Sequence, residues 1–476
     1  MKSVRVATAI LFVLGAWPLF LCRVPPLEDL PAHLATAVVM RHPDAYPNFV
    51  SHGFWKTNAT MFLWLRAFDD AHLALGGALF VALVVLAHAW VFPRLVLELG
   101  GEARVLPATL LAAPLVHNWF VAMGMLDYAL GSALALACLW LVVRQARERS
   151  TARAVAIGAL GLLIWYTHVF ALAMLALLGA IEALRTRRAR ALVPMAPLAP
   201  ALALAAWSAA VELLRPHGAS AHVVYRPPWE TAYELWAKYA WSFSKLEIAS
   251  LATTLVLAIA LVRGRRDETP YLSPFAALVL VVLHFAVPSE AFHWYAVNSR
   301  VLPFLYAAAL VRAPELPRTG VAVLGGCALA CSAGLGLDYA RLDRQMGELA
   351  SGAALVPENA DLAPVMLDPK GASENTWAMV NGWGLYVVAK HTSAALLFAH
   401  SPSFPIGYRA PPPRDPTYDA TFAQRTHSDE EWRAYREALG ARGWVLEWGK
   451  PPEELRAPPP GHTLALERGE LRLFRP

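Results

Sequence analysis

Long apolar runs separated by clusters of arginine constrain this chain more than any other feature. Eleven such runs fall at 4–22, 72–93, 105–122, 126–143, 153–167, 169–184, 191–212, 248–263, 271–288, 298–312 and 319–336. A helix that crosses the hydrocarbon core of a bilayer needs roughly 17–25 apolar residues, fewer when it is short or bent. Charged residues make up only 16% of the 476 residues, and mean hydropathy is +0.41. A soluble protein of this length carries more charge than that. The expected fold class is therefore a polytopic α-helical membrane protein with about eleven spans.

The arginines set the order of the spans. Arg94 and Arg104 share one loop, Arg144, Arg147, Arg149 and Arg153 the next of that sidedness, then Arg185, Arg187, Arg188 and Arg190. Arg263, Arg265 and Arg266 follow, and last Arg312 and Arg318. The short turns near Gly124 and Thr167 carry neither Lys nor Arg. The positive-inside rule places the arginine loops in the cytoplasm, the N-terminus with them and the C-terminus outside. A single helix over 153–184 would push one basic segment outward, so two short helices hinged at Tyr166-Thr167-His168 are expected. Lys2 and Arg5 precede an apolar run, but no small-x-small cleavage site follows, and Leu21 before Cys22 spoils a lipobox. The first run is read as an uncleaved span. The expected location is the inner membrane of a two-membrane bacterium.

The net charge of +5 comes mostly from these loops, and no basic stripe with interleaved aromatics suggests nucleic acid. The four cysteines, Cys22, Cys138, Cys327 and Cys331, lie in or beside apolar runs, so no disulfide framework is expected.

Two outer segments are too long to be turns. Residues 23–71 contain helix-like stretches at 30–41 and 54–68. Residues 213–247 place Trp229, Tyr233, Trp236, Ala240 and Phe243 at helical spacing, with Glu230, Glu234 and Lys238 elsewhere. That pattern suits a helix over 229–243 lying in the membrane interface. Residues 1–336 form the membrane domain; 337–476, richer in Pro and charge, read as a small extracytoplasmic α/β domain. Its apolar runs (363–367, 394–398, 444–448) alternate with helix-like segments (374–390, 429–441). Its end, 462–467 and 470–475 around Arg468-Gly469, reads as a β-hairpin. No internal repeat is found, which weakens an inverted-repeat transporter.

Chemistry is expected in the first outer loop, which opens Pro25-Pro26-Leu27-Glu28-Asp29-Leu30-Pro31-Ala32-His33-Leu34-Ala35. A carboxylate at the membrane surface can serve as general base for an acceptor hydroxyl. The plainer reading makes Asp29 the N-cap of a helix with Pro31 in its first turn. Capping alone requires neither Glu28 nor His33.

An acidic residue followed by Pro-x-His at the start of the first outer loop resembles the GT-C glycosyltransferases, relatives of protein O-mannosyltransferases and lipid A aminoarabinose transferases. The layout is similar over the whole chain, the motif over residues 25–35. The resemblance implies a sugar taken from a polyprenyl-phosphate carrier on the outer face, with Asp29 as catalytic base and Glu28 as its second. The family often separates two acidic residues; here they are adjacent.

Other outer-face residues complete the expectation. Asp127 opens the fourth span, as an N-cap or as cavity lining opposite Asp29. His168 sits at the hinge, structural or in contact with substrate. His293 and Arg300 lie in a polar cluster with Glu290, Trp294, Tyr295 and Asn298. A guanidinium at the outer end of a span matches phosphate oxygens or else snorkels toward headgroups. Lys238 and Lys245 are further phosphate candidates. His33, His168 and His293 could share a metal, but no spacing indicates convergence, and no cofactor is expected. His88 and His117, within spans, are read as packing or interhelical hydrogen bonds. With no Walker loop, dinucleotide fingerprint or Gly-x-Ser-x-Gly elbow, energy must come from an activated lipid phosphate. The partners expected are a polyprenyl-phosphate-linked sugar and membrane lipids. The rival readings are a non-enzymatic membrane assembly protein on the same scaffold and a lipid or small-molecule transporter. A transporter should bury charge in mid-span, where these runs have almost none.

Overall fold

The computed structural model describes residues 2–213, 223–263, 269–291, 294–393, 397–398, 404–409, 437, 439–440, 442–450, 453 and 456–476. Among them, six helices are long and apolar enough to cross a membrane: Lys2–Leu21, Asp70–Gly100, Leu126–Arg147, Val169–Thr186, Ala189–Val211 and Arg318–Ala354. The other five apolar segments hold shorter or broken helix. Thr151–Thr167, Ala249–Arg263 and Pro274–Ala286 are short apolar helices. The segment 298–312 becomes a 3-10 turn, Asn298–Val301, followed by helix Leu302–Leu310. The expected hinge at 166–168 is present: Thr151–Thr167 ends and Val169–Thr186 begins at an extended His168.

The segment 105–122, expected as one helix, is broken twice: Glu102–Leu111 and Ala113–Ala122 are bent by 66° at Ala112, and the second piece is interrupted again at His117-Asn118, between Ala113–Val116 and Trp119–Ala122. Pro114 lacks an amide hydrogen for the preceding turn, and Asn118 leaves helical geometry altogether. The Asn118 side chain then accepts from the amides of Phe120 and Val121 and starts a new short helix. The broken end carries residues 122–125 to the first outer loop. His117, at the break, faces the Tyr339 hydroxyl at 2.7 Å and so joins this span to the last helix.

Ionic and hydrogen-bonded contacts join the N-terminus and three of the arginine loops at one end of the bundle. Arg147 pairs with Glu98, Arg104 with Glu315, and Ser3 donates to Glu102. The opposite end gathers the first loop, residues 223–247 and the C-terminal segment. In the first loop the helices are Leu30–Arg41 and Thr60–Leu65, the second shorter than the expected 54–68. The aromatic helix runs Pro228–Ala237 and stops short of 243, because the chain turns at 238–240. Trp229 and Tyr233 are exposed on it, while Ala240 and Phe243 are buried beyond its end.

The last apolar helix runs unbroken from Arg318 to Ala350, past the change in composition at 336. Beyond it stands a four-stranded sheet. Leu362–Met366 pairs in parallel with Trp444–Trp448, which pairs antiparallel with Leu471–Arg475. Thr463–Arg468 closes the edge as the expected hairpin, with an irregularity between Leu464 and Leu466. Of the helix expected over 374–390, Gly384–Lys390 is helical; the one expected over 429–441 falls mostly outside the described residues. Gly384–Lys390 packs directly on Leu30–Arg41. A Cβ at Gly384 would stand 2.5 Å from the carbonyl oxygen of Pro31, so only glycine permits this approach.

Candidate active site

A cavity of about 670 Å³ opens where the first loop, the broken span, the hinge at His168 and the C-terminal segment meet. It is lined by Glu28, Asp29, His33, Asp127, His168, Lys238 and Arg300. Seven residues separated by up to 272 positions in sequence thus share one chamber. His293 lies outside the described residues, and Lys245 pairs with Glu374 at the surface.

Asp29 owes its place to backbone pairing with the broken span. The amides of Glu28 and Asp29 donate to the carbonyls of Ala122 and Met123, at 3.0 and 3.1 Å. Gly124 follows with φ +81°, and a Cβ there would stand 2.8 Å from the Asp29 nitrogen. Asp29 stands at the N-cap position of Leu30–Arg41, but its side chain makes no capping bond. The carboxylate is held instead by the Asn381 amide, which donates to Oδ1 at 3.2 Å and to the Glu28 carbonyl at 3.1 Å. Burial, reinforced by the Glu28 charge, pushes the Asp29 carboxyl well above the usual carboxylate range.

Glu28 is buried too, and its carboxyl is also pushed up by burial; the Trp377 amide, donating to Oε2 at 2.6 Å, and the charge of Lys238 pull it back. His33 stands one helical turn after Asp29, its Nε2 donating to the Gly124 carbonyl at 3.2 Å. Its ring sits among Phe62, Phe398 and Phe404. Burial pushes its pKa down to about 4, so the imidazole is neutral at physiological pH. Asp127 does not cap its helix, whose N-cap position is Met125; its Oδ1 accepts from the Met61 amide of the first loop at 3.0 Å.

Across the cavity, Arg300 is buried on the turn Asn298–Val301. Its Nη1 donates to His168 Nε2 at 2.9 Å and its Nη2 to the Tyr295 carbonyl at 3.1 Å. Rings of Tyr128, Phe170 and Trp294 stack around the guanidinium at 4.8–5.4 Å. Its Nε has no partner, and no carboxylate pairs with it among the described residues. Guanidinium has donors only, so His168 Nε2 must offer its lone pair. A buried cation without a counter-charge is costly, and an anionic ligand would relieve that cost. Lys238 is a second cation, its Nζ 4.1 Å from the Trp119 ring and 3.4 Å from the Tyr295 hydroxyl. Burial pushes it down to about 8, against the pull of Glu234 and Glu28.

The sequence reading missed the C-terminal contribution. Lys370, Glu374, Asn375, Thr376, Trp377 and Asn381 all line the cavity. The only local signal was the polar run Ser373-Glu374-Asn375-Thr376, and nothing in it points across the chain to residue 28. Arg226 was also missed; it lines the cavity and pairs with Glu234 at 3.3 Å.

No family model matches the sequence, and no curated relative matches it. Among solved structures, the crystal structure of ArnT from Cupriavidus metallidurans in the apo state is similar, with a TM-score of 0.59 and 13% identity. The match covers 99% of this chain and 97% of that one. At that identity the likeness is one of fold, and it extends from the first span through the C-terminal segment. The chain therefore shares its fold, over nearly its whole length, with that ArnT structure.

Proposed function

We propose that this chain is a GT-C-type membrane glycosyltransferase that moves a sugar from a polyprenyl-phosphate carrier to a hydroxyl acceptor on the extracytoplasmic face. The observation that carries the reading is that the Asp29 carboxyl and the Arg300 guanidinium, which has no carboxylate partner among the described residues, line one cavity. Asp29 takes the proton of the acceptor hydroxyl as the new glycosidic bond forms at the anomeric carbon. The bond from that carbon to the carrier phosphate breaks, and the phosphate leaves with its electron pair and a negative charge. Arg300 meets that charge with its free Nε and adjoining Nη hydrogens, and Lys238 adds a second positive charge. A buried carboxylate with a raised pKa is a stronger base than one in water, which suits proton abstraction from a hydroxyl. His168 fixes the rotamer of Arg300, and Asn381 fixes that of Asp29.

Three of the arginine loops gather at the end of the bundle away from the cavity, which supports a cytoplasmic N-terminus and an extracytoplasmic site. The inner-membrane location follows from the same reading. The test is transfer of radiolabelled sugar from a polyprenyl-phosphate donor by the purified protein in lipid vesicles. Transfer by the wild type and its collapse in Asp29→Asn support the assignment; equal transfer by both overturns it.

A further inference from the structure

We propose that His42, Asp70 and His391 form a binding site for a divalent transition metal, zinc by the chemistry of its ligands. The site fastens the C-terminal segment to the first loop, away from the reaction cavity. The three residues come from separate parts of the chain: the end of helix Leu30–Arg41, the start of the second span and the end of helix Gly384–Lys390. One ligand atom from each lies within 4.8 Å of the other two. His42 Nε2 stands 2.7 Å and His391 Nε2 3.5 Å from the same oxygen, Asp70 Oδ2. Ligands at zinc bond lengths of about 2.0–2.1 Å in a tetrahedron sit about 3.3 Å apart. The observed separations bracket that value, so an ion could be received with small side-chain rotations.

The surroundings orient the set. Arg41 pairs with the other carboxylate oxygen, Oδ1, and donates to the Phe68 carbonyl, which fixes Asp70 and leaves Oδ2 facing the imidazoles. His391 adopts φ +50°, in the left-handed region that a residue with a side chain seldom occupies. It is the left-handed C-cap of helix Gly384–Lys390, and its ring centroid lies 4.6 Å from that of His42. Both imidazoles face one carboxylate oxygen, so the three ligand atoms can share a single cation. His42 is also the C-cap residue of the twelve-residue helix Leu30–Arg41, so the negative end of that helix dipole favours a cation there. Two imidazoles and one carboxylate oxygen suit zinc, with water as fourth ligand, rather than the oxygen-seeking magnesium or calcium.

The position explains what such a site would do. Helix Leu30–Arg41 starts at Asp29, and helix Gly384–Lys390 follows Trp377 and Asn381, which hold Glu28 and Asp29. The metal would clamp the far ends of these two packed helices, about 20 Å from Asp29 at 1.5 Å per residue. The ion therefore touches no substrate and acts as a staple between the two parts that build the cavity wall.

The full chain in detergent micelles, stripped with a chelator and then given zinc chloride alone, provides the test. We expect about one zinc per chain after gel filtration and a higher melting temperature. His42→Gln and His391→Gln, which keep a hydrogen-bonding amide, should each weaken zinc binding at least tenfold. Asp29→Asn should bind zinc as the wild type does. A wild type that retains no zinc overturns the proposal. So does unchanged zinc affinity in both glutamine variants, or an equal melting shift with magnesium chloride.

Discussion

The Asn381 side-chain amide donates to Asp29 Oδ1 at 3.2 Å, across 352 positions of sequence, and ties the C-terminal segment to the loop after the first span. A donor to the ionised carboxylate favours ionisation. Removing it in Asn381→Ala raises the Asp29 pKa further. If Asp29 is the base, the acidic limb of the transfer rate moves to higher pH, while the rate on the alkaline plateau changes less. A shift in melting temperature with the limb unmoved would mean that Asn381 serves packing alone.

The raised Asp29 pKa gives the wild type its own pH signature. As the proposed base, Asp29 acts only when deprotonated, so activity should fall as pH drops through its folded pKa. Burial places that limb well above the range of an exposed aspartate, about 3.9. The pH profile of kcat/KM reads it directly. Asp29→Asn should lower transfer by about 10²–10⁴-fold at pH 7, the usual contribution of a general base. The folded state should survive, because the side chain makes no capping bond to lose. Glu28→Gln keeps an acceptor for the Trp377 amide at 2.6 Å and should cost less.

Arg300 separates charge from geometry. Arg300→Lys keeps a positive charge but loses the planar fork that reaches His168 and the Tyr295 carbonyl together. The expected outcome is a lower kcat, because the leaving phosphate is met by a misplaced point charge. Arg300→Gln should lower it further and weaken donor binding. Assays with varied donor concentration distinguish the two effects. Equal kinetics for all three proteins would remove Arg300 from phosphate recognition.

Much of this architecture was legible in the residues. Apolar runs suffice to read a bundle of membrane helices, six of them long enough to cross a membrane among the described residues, and the break at His168 follows from the basic segments on either side of 153–184. The break after Pro114 was written in the sequence as well, but an apolar stretch of normal span length outweighed one proline. Glu28 and Asp29 stood out as adjacent carboxylates just after the first span, followed by Pro31 and His33, and Arg300 as a guanidinium at the end of a span. What could not be read was their wall. Asn381, Trp377 and Arg226 are ordinary polar or aromatic residues in ordinary loops, and only long-range packing brings them to Glu28, Asp29 and Lys238. The His42, Asp70 and His391 group was invisible for the same reason, since no local spacing links residues on three separate elements.

His33 gives a prediction about stability rather than rate. Its folded pKa is about 4, below the ordinary histidine value of about 6.5. Between those values the unfolded chain binds a proton at this site that the folded chain excludes. The stability contributed by His33 is therefore complete above pH 6.5 and is lost as pH falls toward 4. The raised carboxyls of Glu28 and Asp29 act in the opposite sense, since the folded chain holds their protons more tightly and loses that advantage as pH rises. His33→Gln keeps a donor for the Gly124 carbonyl and removes the titrating ring. Its melting temperature at pH 7.5 should lie at or below that of the wild type, because the His33 ring packs against Phe62 and Phe404. From pH 6.5 to pH 5 its melting temperature should fall less steeply than the wild type's. Parallel curves for the two proteins would show that the imidazole titrates alike in the folded and unfolded chain, contrary to its burial among three phenylalanines.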